Sequence, residues 1–164
     1  MKNQEVLNNN KEDYGPSHKE HIFAQYKLYI TGIEKSSDRR QKTNDFFLTI
    51  NTATLGFMGV VNKVIENDSP FLVLVASIFG IILSIIWYRL INAYRNINRG
   101  KYKIIHKLEE QLPTAPYKIE WDILGNGKDK KIYTPITCVE IGVPVMFTIL
   151  YLIIVSVIYL PYFL

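Results

Sequence analysis

One segment of the chain, residues 71–91, constrains the possible folds more than any other. It reads FLVLVASIFGIILSIIWYRLI, 21 residues in which Arg89 carries the single charge. A helix needs about 20 predominantly apolar residues to cross the hydrocarbon core of a bilayer. Trp87 and Tyr88 fall near the end of the segment, as aromatic residues do where a membrane helix meets the headgroups. The segment therefore predicts a transmembrane helix over residues 70–91.

A second, weaker apolar segment precedes it. Residues 46–61 read FFLTINTATLGFMGVV, a short run that threonine and asparagine dilute. By itself this pattern is also typical of a buried helix in a soluble core. The following residues, 62–70, are too few to do anything but reverse the chain. We therefore predict a first transmembrane helix over 46–65, paired with the second as an antiparallel hairpin.

The end of the chain predicts a third transmembrane helix over residues 141–164. This segment reads IGVPVMFTILYLIIVSVIYLPYFL and carries no charged side chain. Pro144 falls in its first turns, where a helix tolerates proline. Tyr159 and Tyr162 fall near its far end, as interfacial aromatic residues do.

The segment before the hairpin predicts a long helical extension. No proline lies between Pro16 and Pro70, so one helix can begin near Ser17 and continue to about residue 64. At 1.5 Å per residue it would be roughly 70 Å long, more than twice the thickness of the hydrocarbon core. Residues 18–45 must therefore project into water as a cytoplasmic helix. An apolar stripe at helical spacing runs along them: Ile22, Phe23, Tyr26, Tyr29, Ile30 and Ile33.

The remaining segments complete an all-α membrane protein with three transmembrane helices, the first two forming a hairpin with long cytoplasmic helical extensions. Residues 92–112 continue the second helix and should pack against 18–45 as a two-helix stalk. Residues 113–140 contain proline and a Gly-Asn-Gly turn, which predict a cytoplasmic loop or small subdomain. Residues 1–17 are rich in asparagine and predict a disordered tail.

The basic residues predict the orientation. Eight lysines and arginines lie in 1–45, one in 62–70, ten in 89–131 and none after the third apolar segment. Because cytoplasmic loops carry the excess of basic residues, we expect a cytoplasmic N-terminus and an external C-terminus. The net charge of +4 is then explained mostly by topology, and the basic segments beside the membrane would also attract anionic lipid. We expect no nucleic-acid partner.

The sequence favours neither catalysis nor metal binding. Cys138 is the one cysteine, so no disulfide can form within the chain. His18 and His21 lie three residues apart, but no third ligand follows at a metal-binding spacing. Recognisable nucleophile–base groupings and paired carboxylates are missing. We expect a protein that is not an enzyme and that uses no cofactor.

A first candidate site lies where the first span begins. Glu34 and Asp38 form an unfavourable like-charge pair at i,i+4, which suggests partners on another helix, either 94–107 or a second subunit. The alternative is plain anchoring by basic residues at the cytoplasmic boundary. The candidate juxtamembrane residues are Arg39, Arg40, Gln41 and Asn44.

A second candidate site lies within the first span. An amide at membrane depth is costly against lipid and should face protein or water. Small residues allow close helix packing. These residues either pack within the hairpin or line an oligomer axis or pore: Asn51, Thr52, Gly56 and Gly59.

A third candidate site is the loop between the second and third spans. It could dock an unidentified cytoplasmic partner, and its candidate contacts are Glu120, Trp121, Lys128, Asp129 and Lys130. For Glu140, the carboxylate closest to the third span, we expect a salt bridge to a lysine of 128–131.

Two blocks of sequence resemble a known family. They are YKLYITGIEKSSDRRQKTNDFFLTINTATLG (residues 26–56) and LPTAPYKIEWDILGNGKDKKIYTPITCVEIGVPVMF (residues 112–147). Together they resemble the RipA family of small bacterial inner-membrane proteins, whose members are described as octameric. The resemblance covers about residues 26–150 and implies a homo-octamer in the bacterial inner membrane. A more distant likeness is to the two-span SLATT effectors, from which this chain departs by its third span and its loop.

Three functional hypotheses follow. The first is a homo-oligomeric inner-membrane protein that acts as a pore or scaffold in membrane or stress adaptation. The second is a pore-forming effector of an anti-phage defence system. The third is a membrane adaptor that docks a cytoplasmic partner through the 112–140 loop.

Overall fold

The computed structural model describes residues 11–64, 70–129 and 131–160, and the secondary-structure elements in these ranges are all helices. This confirms the all-α class. The elements are α1 (Lys11–Tyr14), α2 (His18–Val64), α3 (Pro70–Glu109), α4 (Pro116–Ile123), a short 3-10 helix (Gly125–Gly127) and α5 (Ile136–Tyr159).

The two long helices are continuous, as the spacing of prolines predicts. α2 has 47 residues and α3 has 40. Proline removes a backbone donor and breaks a helix interior, and α3 begins with its proline at the first position, where that donor has no partner in any case.

Two of the described helices, α3 and α5, are long and apolar enough to cross a membrane. α2 does not meet the same measure, because threonine, asparagine and glycine interrupt its apolar segment. The predicted first span over 46–65 therefore stays a prediction, and its last residue lies outside the described ranges.

The chain divides into two compact units, with the divisions falling inside α2 and α3. The apolar unit comprises Arg39–Ala93 and Ile136–Leu164. The polar unit comprises Met1–Asp38 and Tyr94–Pro135.

The apolar unit is a three-helix arrangement that contains the predicted hairpin. Phe47 on α2 packs with Trp87 on α3, and Met58 further along α2 packs with Val73. Since the residue number rises on one helix while it falls on the other, the two segments are antiparallel. α5 completes the packing through Phe147, which contacts both clusters.

One close approach in this unit requires glycine. Tyr151 of α5 is fully buried, and its ring lies over Gly80 of α3. A Cβ at Gly80 would lie closer to the carbons of that ring than real carbon atoms approach. The absence of a side chain at this position is what allows α5 to lie against α3.

The polar unit packs the remaining parts of α2 and α3 together, as the apolar stripe predicts. Its core contains Tyr26 and Ile33 of α2 with Ile105 and Leu108 of α3. Lys101 donates to the backbone oxygen of Gly32 across the pair at 2.6 Å. The stripe is only partly inward, because Phe23 remains about half exposed.

The predicted loop 113–140 contains the short helix α4 and the 3-10 helix. Asn126 and its two glycine neighbours all adopt positive φ, between 55° and 67°. A Cβ at Gly127 would lie 2.9 Å from the Trp121 ring, so the turn packs directly against that side chain. Glycine suits both requirements, since it has no Cβ and readily adopts positive φ.

The terminal boundaries differ in detail from the sequence-based expectation. Of the predicted tail 1–17, residues 1–10 lie outside the described ranges, and Lys11–Tyr14 form one helical turn. The Tyr14 hydroxyl hydrogen-bonds to Nδ1 of His21 at 2.8 Å. α5 begins at Ile136, five residues before the predicted start at 141, directly after Pro135.

Candidate functional site

The predicted juxtamembrane site forms a cluster around Asn44. Its Oδ1 accepts a hydrogen bond from Nε1 of the buried Trp87 at 2.8 Å. Its Nδ2 donates to Oε1 of Glu140 at 3.1 Å. One amide on α2 therefore connects α3 with α5, which fixes the register of all three helices in the apolar unit.

Arg40 adds a charge to this cluster. Its Nε lies 3.6 Å from Oε1 of Glu140, and both side chains are about one-fifth exposed. The salt bridge expected between Glu140 and a lysine of 128–131 is not formed by Lys128 or Lys131, and Lys130 lies outside the described residues. The described partner is Arg40 on the neighbouring helix. Oε2 of Glu140 is buried and has no hydrogen-bond partner among the described residues.

The four juxtamembrane candidates thus separate into two pairs. Arg40 and Asn44 face α5, one helical turn apart, and engage the same carboxylate. Arg39 and Gln41 are exposed to solvent. The partner helix is α5, which the sequence did not suggest.

The residues of the second predicted site also separate, with Asn51 buried and the other three exposed. Asn51 is fully buried, and its Nδ2 donates to the backbone oxygen of Phe47 at 2.8 Å. Its Oδ1 accepts from Ser84 Oγ of α3 and from Tyr151 Oη of α5, each at 3.2 Å. This geometry satisfies the amide within one chain and matches the packing alternative for Asn51.

The other members of that site point away from Asn51. Thr52, Gly56 and Gly59 are exposed, and a Cβ at either glycine would meet nothing within 4 Å. The Thr52 hydroxyl donates to the backbone oxygen of Leu48 at 2.8 Å. These residues offer a small, smooth surface that no part of the described chain covers.

The apolar part of α2 consequently has three distinct faces. The buried face holds Phe47, Asn51, Thr54, Met58 and Val61. An exposed apolar face lies roughly a quarter turn away and holds Phe46, Ala53, Phe57 and Val60.

The third face lies opposite the buried one, and we call it the outward polar face. Its residues recur at the i, i+4, i+7 spacing of one helical surface, and all five are exposed. They are Asp45, Thr49, Thr52, Gly56 and Gly59.

The polar unit contains a cavity of about 560 Å³ between α3 and the loop region. Two predicted loop contacts, Glu120 and Trp121, line it. Lys128 and Asp129 lie outside the lining, and Oδ1 of Asp129 instead accepts from the Lys131 backbone N–H at 2.8 Å. Lys130 lies outside the described residues.

A buried carboxylate beside this cavity holds α4 in place. Glu109 is 1% exposed, and its oxygens accept from the backbone N–H groups of Tyr117 and Lys118, each at 2.9 Å. It also accepts from the Tyr26 hydroxyl at 3.0 Å. A carboxylate at a helix N-terminus satisfies donors that lack partners within the helix and interacts favourably with its dipole.

The electrostatics of this carboxylate affect two tyrosines. Burial, with the hydrogen bond to Glu109 second, raises the pKa of Tyr26 to about 12. Burial also raises the pKa of Tyr117, and the negative charges of Glu34, Glu120 and Glu109 add to the effect.

Sequence reasoning missed Glu109, Ser84 and Tyr151. Glu109 lies beside Glu110 near a helix end, and nothing in the pattern distinguishes the buried carboxylate from the exposed one. Tyr151 interrupts an aliphatic run in the third apolar segment, and that polar tip at membrane depth was the available signal. Within the described residues, no group of three or more histidine, cysteine, aspartate or glutamate side chains could hold a metal ion.

Comparison with known proteins places the chain in a family. A search of curated proteins and a search of solved structures give no match. A family model described as "Octameric membrane protein family (8xMP)" matches residues 23–160, most of the chain, in agreement with the resemblance to the RipA-type octameric proteins. The match includes all three helices of the apolar unit and the loop region, and the chain belongs to the octameric membrane protein family.

Proposed function

We propose that the protein is a three-span homo-oligomer of the bacterial inner membrane, and that it acts as a pore or scaffold. The outward polar face of α2 would turn towards neighbouring copies or the axis of the assembly. The observation that carries the proposal is the exposure of this face in the single chain, directly opposite the face that packs on α3 and α5.

The chemistry of the outward polar face argues against lipid as its neighbour. Asp45 is exposed at its start, just before the predicted span, and the face then presents threonines and glycines rather than the large apolar side chains that suit lipid. Gly56 and Gly59 lie about one turn apart and permit a close approach by another helix, as small residues do in membrane helix pairs. The exposed apolar face, with Phe46 and Phe57, is the surface suited to lipid.

The family description supports other copies of this chain as the neighbours of that face. A family whose name describes octamers implies that the members assemble with copies of themselves. In a closed ring each copy contacts two neighbours through two different surface patches, and the outward polar face of α2 would supply one of them.

The proposed topology has the polar unit and the N-terminus in the cytoplasm and the C-terminus outside. The excess of basic residues before the first span and after the second supports it. A test uses Cys138→Ser as background, with single cysteines placed at Thr31 and Ser69. A membrane-impermeant thiol reagent applied to spheroplasts should label the Ser69 site and leave the Thr31 site unlabelled. The reverse pattern would reject this orientation.

The assembly is tested by measuring particle mass in nanodiscs and imaging the particles by electron microscopy. Gly56→Leu should break the ring into smaller species, because a Cβ at this position meets nothing within 4 Å in the described chain and the added bulk would therefore act on a neighbour. Ala53→Leu, on the lipid-suited face less than one turn away, is the matched control. A monomeric wild-type protein, or equal effects of the two variants on particle mass, would contradict the proposal.

A flux assay separates a pore from a scaffold. Proteoliposomes loaded with an ion-sensitive dye should report a leak that Thr52→Trp reduces, if the outward polar face lines a path. Rings that form normally and conduct nothing would leave the scaffold as the function.

A further inference from the structure

The cavity in the polar unit has two chemically different walls. One wall is α3, which contributes Arg99, Lys103 and His106. The other is α4 with the following loop, which contributes aromatic side chains and Glu120. Its volume of about 560 Å³ lies within the range of roughly 300–1,000 Å³ typical of small-molecule sites.

The α3 wall presents two cationic side chains and a histidine. Arg99, Lys103 and His106 follow one another at i, i+4 and i+7, so they share one face of the helix. Among the described residues, no carboxylate lies within salt-bridge distance of Arg99 or Lys103. Arginine and lysine converging on one cavity are the groups that bind phosphate in proteins.

The facing wall presents aromatic surfaces. Tyr117 and Trp121 are one turn apart on α4, and Tyr102 of α3 lies 6.1 Å from the Tyr117 ring. Trp121 is held by contact with Gly127 and by the edge-to-face packing of Tyr133 at 6.1 Å. This support fixes the indole, which remains 37% exposed.

A ligand that suits one wall alone does not account for the chemistry of the other wall. A simple inorganic anion would need the cations and leave the aromatic wall unused. An uncharged apolar ligand would need the aromatic wall and leave unpaired cations beside it. A ligand that joins a flat aromatic ring to phosphate uses both, and Glu120 offers an acceptor for a sugar hydroxyl or an amino group on the ring.

We propose that this cavity binds a nucleotide, with the phosphates against Arg99, Lys103 and His106 and the base against Trp121. The Glu109 carboxylate contributes indirectly, because it anchors the first turn of α4 and so positions the aromatic wall. The site lies within the polar unit and does not depend on the assembly proposed above.

Isothermal titration of the full-length protein in nanodiscs of zwitterionic lipid tests the proposal. The probes are ATP, GTP, UTP and, as the base-free control, inorganic tripolyphosphate. At least one nucleotide should bind about tenfold or more tightly than tripolyphosphate, because base stacking on an aromatic side chain strengthens binding by about this factor.

Three variants locate the binding. Arg99→Gln should weaken nucleotide affinity about tenfold, the effect of losing one charge-assisted contact. Arg95→Gln removes the same charge one turn earlier on α3, outside the cavity lining, and should change affinity less than about twofold. Trp121→Leu should weaken nucleotides about tenfold and leave tripolyphosphate unchanged. Thermal unfolding of each variant confirms that it is folded.

Several results would overturn the proposal. One is no binding by any nucleotide at about 1 mM, a concentration that saturates most specific nucleotide sites. Another is equal affinity for tripolyphosphate and nucleotides with no effect of Trp121→Leu, which would indicate a general anion site. Equal losses in Arg99→Gln and Arg95→Gln would show that net charge, rather than the cavity, holds the probe.

Discussion

The Tyr151 hydroxyl donates to two oxygens of Asn51, the backbone oxygen at 3.1 Å and the side-chain Oδ1 at 3.2 Å. The two residues are 100 positions apart, and both are fully buried in the apolar unit. This pair joins α5 to the hairpin. In the proposed three-span topology it lies at membrane depth, where polar groups need protein partners.

Removing the Tyr151 hydroxyl should therefore loosen the attachment of α5. Tyr151→Phe is expected to lower the free energy of unfolding by about 1 kcal/mol, the usual size of such a bond between membrane helices. Unfolding in mixed detergent, followed by circular dichroism, measures the loss. Ser156→Ala is the control, because among the described residues that hydroxyl bonds to the backbone of its own helix, at Leu152. Equal losses in both variants would contradict the assigned role.

Gly80 and Gly142 should respond in opposite directions to the same substitution. Gly80→Ala places a methyl group too close to the Tyr151 ring and should destabilise by at least about 1–3 kcal/mol. Gly142→Ala meets nothing within 4 Å and should stabilise α5 by up to about 1 kcal/mol. Thermal unfolding of the purified variants measures both. A neutral Gly80→Ala would show that α5 does not pack on α3 as described.

Glu109 and Glu110 provide a matched test of the buried helix cap. Glu109→Gln should cost about 1–3 kcal/mol, since the amide NH₂ group cannot accept the bond from one of the α4 N–H groups. Glu110→Gln should cost less than about 1 kcal/mol, because its contact with Lys118 is long and exposed. Hydrogen exchange at the amides of Tyr117 and Lys118 reports the cap directly. Unchanged exchange in Glu109→Gln would argue against it.

The Tyr26–Glu109 contact predicts a loss of stability at high pH. The pKa of Tyr26 rises from its ordinary 10.0 to about 12 in the folded chain, first through burial and then through the hydrogen bond to Glu109. The folded state therefore holds this proton more tightly than the unfolded state does. The resulting stability is fully present below about pH 10 and is lost as the pH rises through about 12.

Tyr26→Phe should flatten that dependence. At neutral pH the variant should lose about 1 kcal/mol with the hydrogen bond, and its melting temperature should then fall less steeply between about pH 10 and pH 12 than that of the wild type. The raised pKa of Tyr117 leaves part of the slope in place. Parallel curves for the two proteins would exclude Tyr26 as the source.

The ion pair of Arg40 with Glu140 should contribute little energy and some specificity. A double-mutant cycle with Arg40→Gln and Glu140→Gln should give a coupling below about 1 kcal/mol, because the pair is partly exposed and 3.6 Å long. The coupling should weaken with added salt. Arg39→Gln, at the exposed neighbouring position, should show no coupling to Glu140. A coupling of several kcal/mol would mean that the ion pair is shielded from solvent more than the exposure of its two side chains indicates.

The sequence by itself determined that the chain forms long helices, and that two of its apolar segments are long enough to cross a membrane. Residues 71–91 can satisfy their backbone groups in lipid only as a helix, and the absence of proline from 17–69 allows α2 to continue without a break. The short link of 62–70 also made the hairpin the available arrangement. These are local properties, because covalent geometry and hydrophobic length decide them within one segment.

The tertiary structure decided which neighbour each polar side chain meets. Helical periodicity places Asn51 and Thr52 on different faces, but it does not say which face packs on α3 and which remains exposed. The partner of Glu140 depends on how α5 lies beside α2, and the buried state of Glu109 depends on where α4 returns to α3. Contacts between residues 83 to 100 positions apart are fixed by the packing of whole helices, and no local pattern in the chain encodes them.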